Sequence, residues 1–141
     1  MKKRSTTNQH VRTRTDHATE LAEDYVEAIA EFTEKSGTCR GVDLATQFGV
    51  TNVTVNRMVG RLVRDGYATT TPYGPVELTE KGRKLAAQCR RRHEIVFSFL
   101  LCLGVDSATA AIDAEGIEHH VSTDTLAAMK AFVKNSGGRG G

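Results

Sequence analysis

Residues 112–122 read IDAEGIEHHVS and gather Glu115, Glu118, His119 and His120 within six positions. Side chains three and four apart on a helix share a face, so a helical segment here makes Glu115, Glu118 and His119 project together. Two carboxylates and an imidazole placed this way call for something positive between them. A second acidic series, Glu20, Asp24, Glu27 and Glu31, recurs at spacings of four, three and four. Like charges so spaced cost a helix about 0.2–0.5 kcal/mol per pair. Glu20 and Glu31 read as a solvated acidic face, whereas Asp24 and Glu27 lie at the margin of an apolar stripe and are candidates for a shared partner. His93 follows RRR and precedes IVFSFLL; taken alone it reads as a boundary histidine. Together, Asp24, Glu27, His93, Glu115, Glu118 and His119 offer four carboxylates and two imidazoles. Such a set can hold one or two hard-to-borderline divalent cations in oxygen-rich, six-coordinate geometry. A structural zinc site would want sulfur, and Cys39, Cys89 and Cys102 have neither CxxC pairing nor finger spacing.

The elements that must carry these residues are mostly helical. Leu21, Tyr25, Ile29 and Phe32 form an apolar stripe over a helix from about Asp16 to Lys35, with Gly37 as its stop. A short helix spans about Val42 to Phe48 and turns at Gly49. Thr51 can cap a helix from Asn52 to Asp65 that Gly66 ends, with Val55, Met58, Val59 and Leu62 as its buried face. Tyr67–Thr71 and Val76–Leu78 are strand-like around the turn Pro72-Tyr73-Gly74-Pro75. Thr79 can cap a long helix to about Leu103. Short helices at about 107–114 and 116–120 follow, and Ser122 can cap a last one reaching about Val133.

Helix, short helix, glycine-containing turn, helix and two-stranded hairpin is the order of a winged helix-turn-helix. The fold class expected is therefore mostly α: an N-terminal winged helix-turn-helix (15–79) followed by an all-helical domain (80–135). A basic flexible arm (1–14) precedes these and a disordered tail (136–141) follows. In QFGVTNVTVNRMVGRL the second helix presents Thr51, Asn52, Thr54, Asn56 and Arg57. Small polar side chains and an arginine can reach base edges and phosphates, and the helix amino end favours a phosphate. Tyr73 at the hairpin tip could lie against the DNA backbone.

Net charge is only +2, but between Arg57 and Arg92 nine Lys or Arg face three acids. That block is compatible with a nucleic-acid footprint, although charge runs are more often solvated helix faces. Three scattered thiols suit a reducing cytosol. No secretory signal follows MKKRSTTNQH, and the longest apolar run, Ile95–Val105, is interrupted and too short to span a bilayer. A cytoplasmic protein without a membrane segment is expected.

At this point the chain resembles the manganese-responsive branch of the diphtheria-toxin-repressor family of metal-dependent transcriptional regulators. The resemblance covers about residues 20–133 and is carried by EDYVEAI, RRHE, EGIEHH and the hairpin YGPVELTEKG. It implies a binuclear manganese site on Asp24, Glu27, His93, Glu115, Glu118 and His119, with His120 outside it. It also implies homodimerisation through the helical domain, binding of double-stranded operator DNA, and repression of manganese uptake. Where the iron-responsive branch has methionine and cysteine ligands this chain has Asp24 and Glu115, and Ala111 and Phe97 replace its ancillary histidine and glutamate. Carboxylates in place of sulfur harden the site. The chain is similar to the short, two-domain type of the family. Alternatives are an Fe2+ or mixed-metal regulator of the same family, a carboxylate-bridged dimetal enzyme, and a winged-helix regulator that needs no metal. The enzyme reading is weakened because paired E-x-x-H motifs are wanted and Glu115 is followed three residues later by Glu118; no enzyme is expected.

Overall fold

The structure, a computed structural model, describes the backbone of residues 6–140 and the side chains of residues 18–136. Eight elements follow in order: α1 (Thr6–Ser36), α2 (Gly41–Phe48), α3 (Asn52–Arg64), β1 (Ala68–Thr70), β2 (Val76–Leu78), α4 (Glu80–Cys102), α5 (Ser107–Ile117) and α6 (Thr123–Gly140). They group into two compact units, residues up to Ala86 and from Ala87 onward, so the division falls inside α4.

The first unit is built on α1. Tyr25, Val26 and Ile29 are buried there, and Leu21 and Phe32 pack against the same core, as the stripe requires. Tyr25 stacks on Phe48 of α2 with ring centroids 4.4 Å apart. The turn between α2 and α3 works because Gly49 takes a left-handed conformation (φ 63°, ψ 38°) while its N–H donates to the carbonyl of Ala45, a backbone that favours glycine. Thr51 then caps α3, its hydroxyl accepting from the N–H of Thr54 at 3.2 Å. Val55, Met58, Val59 and Leu62 all point inward. The opposite face of α3 is left at the surface.

The wing is the antiparallel pair β1–β2, in register Ala68 to Leu78, Thr69 to Glu77 and Thr70 to Val76. Its inward positions, Ala68 and Val76, are buried in the same core. Its base is bolted to neighbouring elements. The Thr79 hydroxyl donates to Gly66 O at 2.6 Å, Lys81 Nζ donates to Asp65 O at 2.8 Å, and Arg83 Nη1 donates to Leu78 O at 2.9 Å. Lys81 also sits 4.5 Å from the Tyr67 ring centroid, a cation–π contact.

The second unit packs Val96 of α4, Ala114 of α5 and Leu126 of α6, with Ile95, Phe97, Leu100, Ile117, Val121 and Met129 around them. Asp106 caps α5, accepting from the Thr109 N–H and hydroxyl; these bonds hold its carboxyl below the usual carboxylate range. Ser122 caps α6 by accepting from the Thr125 N–H.

Three expectations from the sequence need correction. α1 begins at Thr6, not near Asp16. Residues 6–14 of the expected arm are therefore helical, consistent with an unbroken run free of Pro and Gly, while residues 1–5 lie outside the described residues. The two short helices expected at 107–114 and 116–120 are one helix to Ile117, and Glu118 donates back to Ala114 O at 3.0 Å. Gly116 costs that helix about 1 kcal/mol relative to alanine without breaking it. Finally α6 runs on to Gly140 instead of stopping near Val133, since each residue added to an existing helix gains a bond without a new nucleus. Gly141 lies outside the described residues.

Candidate metal centre and nucleic-acid interface

Single-helix α5 answers the question its acids raise. Because helical rotation persists through Glu118 (φ −56°, ψ −31°), Glu115 and Glu118 fall on one side, three positions apart. His93 comes from α4. One donor atom each from His93, Glu115 and Glu118 lies within 4.8 Å of the others. The Glu118 carboxylate is 1% exposed, with His93 Nδ1 and His119 Nε2 each 3.7 Å from its Oε1. The His119 side chain is 2% exposed.

That spacing is informative. It exceeds a hydrogen bond. Ligand atoms about 2.1 Å from one cation stand about 3.0 Å apart across a right angle and about 4.2 Å apart when opposite, and 3.7 Å falls between. A carboxylate this buried needs compensation by pairing or coordination, and two imidazoles, side chains that ligate when neutral, stand close to it. The donor chemistry therefore fits a divalent cation. No cysteine joins any such cluster among the described residues, so the donors are nitrogen and oxygen, suited to borderline and hard ions.

Asp24 and Glu27 sit three apart on α1 of the first unit, both half-buried, whereas Glu31 is exposed. Glu20 is half-buried, which the reading of a fully solvated face did not foresee. His120 is exposed. Phe97 lies parallel to the His93 imidazole with centroids 6.1 Å apart and joins the core. It supplies packing there and no donor.

In the first unit Thr51, Asn52, Thr54, Asn56 and Arg57 are all exposed along α3, and Tyr73 stands fully exposed at the wing tip. Val53, between the two polar pairs, is 68% exposed. Polarity alone gives no reason to single it out. The signal was present, since Val53 falls outside the buried stripe of α3. The basic block divides in function. Arg64 pairs with Asp65 at 3.1 Å, Lys84 with Glu80 at 3.5 Å, Lys81 binds the Asp65 carbonyl at the end of α3, and Arg83 binds the Leu78 carbonyl of the wing. Part of the positive charge thus serves the fold.

Comparisons with known proteins agree with both halves. Residues 17–76 match the family model of the iron dependent repressor N-terminal DNA binding domain, and residues 79–137 match that of the iron dependent repressor metal binding and dimerisation domain. The transcriptional regulator MntR of Escherichia coli is 45% identical over 123 residues, 87% of this chain and 79% of that protein. The protein of the same name from Salmonella typhimurium is 46% identical over 121 residues, 86% of this chain and 77% of that one. Among solved structures, a manganese-dependent transcriptional repressor in complex with manganese superposes with a TM-score of 0.73 at 30% identity. That match covers 80% of this chain and 52% of the other, so this chain spans about half the length of that repressor. With a DNA-binding domain and a metal-binding domain both matched in order, the chain belongs to the iron-dependent (diphtheria-toxin) repressor family of metal-dependent transcriptional regulators.

Proposed function

We propose that this chain is a manganese-activated, homodimeric regulator that binds double-stranded operator DNA in the cytoplasm and mainly represses manganese uptake. The observation that carries the metal half is the buried Glu118 carboxylate with two imidazole nitrogens at 3.7 Å. The residues that would hold the metal are His93, Glu115, Glu118 and His119 of the second unit, joined by Asp24 and Glu27 of α1 in a binuclear set. The cation supplies positive charge that neutralises the carboxylates and ties their helices together.

The chain's own residues do the rest. His93 is held by the α4 backbone and by Phe97 lying alongside its ring. Glu115 and Glu118 are fixed three apart by α5. With Asp24 and Glu27 contributed by the DNA-binding half, a filled site limits how that half moves against the helical one. In a dimer the two α3 helices must match two half-sites, and fixing their separation raises operator affinity. Metal and DNA then favour one conformation, so operator DNA tightens metal binding by the same factor. Leu101, Leu103, Ile112 and Phe132, all exposed apolar residues of the second unit, are the candidates for the dimer surface. On α3, Asn56 and Arg57 reach for base edges and phosphates, and Val53 offers methyl groups of the kind that meet thymine. Tyr73 meets the backbone.

Calorimetric titration with manganese, iron and zinc, paired with gel shifts at matched free metal, tests this reading. About two manganese ions per protomer, and operator binding tightened roughly 5–150-fold by manganese, is the expected result. A metal-stripped protein that binds its operator as tightly as the loaded one sinks it. Equal or stronger activation by iron moves the assignment to an iron or mixed-metal regulator.

A further inference from the structure

The wing tip is held in a conformation its sequence does not favour. Gly74 N–H donates to Thr71 O at 2.9 Å, closing a turn with Pro72 second and Tyr73 third. Tyr73 has φ 60° and is the sole non-glycine residue with positive φ among the described residues. Proline second and a positive φ third make this a type II turn, whose third position calls for glycine or asparagine. A Cβ on Gly74 would overlap the Thr71 hydroxyl, which would have to move aside. A bulky aromatic in the left-handed region is a genuine outlier, and such strain persists only where surrounding structure imposes it. The ring gains nothing from the fold in return, being fully exposed.

A bond to this backbone comes from the joint between α1 and α2. Arg40 Nη1 donates to the Tyr73 carbonyl at 3.2 Å, across 33 residues of chain. Next to it, Cys39 O accepts from Val76 N–H at 2.7 Å. One joint therefore grips the wing at its apex and at the start of β2. The backbone N–H of Arg40 separately donates to Asp43 Oδ2 at 2.9 Å to begin α2, a bond that survives truncation of the side chain.

We propose that Arg40 is a positioning residue for DNA recognition: its guanidinium holds the strained Tyr73 backbone so that the ring is presented outward before DNA arrives. The proposal rests on the reading that this unit binds duplex DNA through α3 and the wing. A preset wing spares the ordering cost that binding would otherwise carry. Arg40 then acts through Tyr73, not through a phosphate.

The experiment uses the full-length, manganese-loaded protein and the duplex it selects from a random-sequence library, with affinity followed by fluorescence anisotropy at several salt concentrations. Arg40→Ala and Tyr73→Ala are each expected to weaken binding about fivefold to tenfold. In the Tyr73→Ala background, Arg40→Ala is expected to add less than about twofold, because the two share one pathway. The salt dependence of Arg40→Ala stays that of the parent. A slope shallower by about one marks a direct phosphate contact and overturns the proposal, as do additive effects of the two substitutions. Tyr73→Gly, which relieves the strain, is expected to leave the thermal midpoint unchanged or raised while weakening the duplex; a lowered midpoint shows that the ring serves the fold and overturns it too. A library that yields no duplex at all instead overturns the DNA-binding reading beneath it.

Discussion

The two units are stabilised by different means. The first has a core running through six elements, from Tyr25 and Ile29 to Leu44, Leu62, Val76 and Ala86, and its polar groups cap, clamp and bridge one another. The second has three buried hydrophobic residues at its centre, Val96, Ala114 and Leu126, and buries Glu118 as the first buries Glu23. Leu101, Leu103, Ile112 and Phe132 stand at its surface, as Val42, Val53, Val63 and Tyr73 do in the first. A unit confined to residues 87–141 buries only about 60% of its unfolded surface. The contrast in size suits the two tasks proposed for the units. A reader of DNA needs a fixed shape. A sensor needs a state that its ligand can still stabilise.

The largest expected effects come from core truncation in each unit. Leu62→Ala should cost about 2–5 kcal/mol whether or not manganese is present. Val96→Ala should also destabilise, but manganese at about 100 times its Kd should return about 2.7 kcal/mol. Amide hydrogen exchange with and without manganese separates the units. Protection should rise along α5 and α6 and stay level in the interior of α3. Equal protection of α3 would break the contrast.

Next in size is Glu118→Gln, which keeps the shape and removes the charge. Manganese affinity, read by calorimetry, should fall by more than the roughly 10–100-fold that loss of a ligand's supporting partner costs. Without metal the variant should be as stable as the parent or more so, because a buried charge has gone. Loss of stability with unchanged manganese affinity would make the Glu118 carboxylate a structural ion-pair partner instead of a ligand.

How legible these regions were in the sequence follows the same contrast. Every buried position expected of α3 is buried, Thr51 caps it, and Val76–Leu78 is a strand as expected. These features are written in local periodicity and capping chemistry. Less legible was the run from Ser107 to His120, read as two short helices at 107–114 and 116–120; tertiary packing of Ala110 and Ala114 outweighed the poor propensity of Gly116. Among site residues, His93, Glu115, Glu118 and His119 were named from their types and spacing, and their convergence on one carboxylate needed the fold. Arg40 was invisible, because nothing local says that its side chain meets a carbonyl 33 residues away.

On the reading surface the effects should be smaller and of two kinds. Asn56→Ala should cost about 1–3 kcal/mol against one preferred base pair and relax selectivity there. Arg57→Ala should weaken all duplexes alike and lower the salt slope by about one. Neither should alter manganese affinity measured without DNA, since neither belongs to the metal-binding set. Selection of preferred duplexes for each variant, with salt titrations, separates the two. Exchange of these signatures would reassign the residues between base and backbone contact.

The smallest effect asks whether a residue of the first unit can serve fold and function at once. Thr51 uses its hydroxyl to accept from Thr54 N–H, so Thr51→Ala should cost about 1 kcal/mol of stability through the lost cap. Aspartate caps as well or better and also favours the positive end of the helix, so Thr51→Asp should restore or exceed the parent's thermal midpoint. Yet the same amino end is where a DNA phosphate would be drawn, and a carboxylate there repels it. Thr51→Asp should therefore bind operator more weakly than Thr51→Ala, despite being the more stable of the two. If affinity instead follows stability through the series, Thr51 matters only as a cap, and the phosphate seat lies elsewhere on α3.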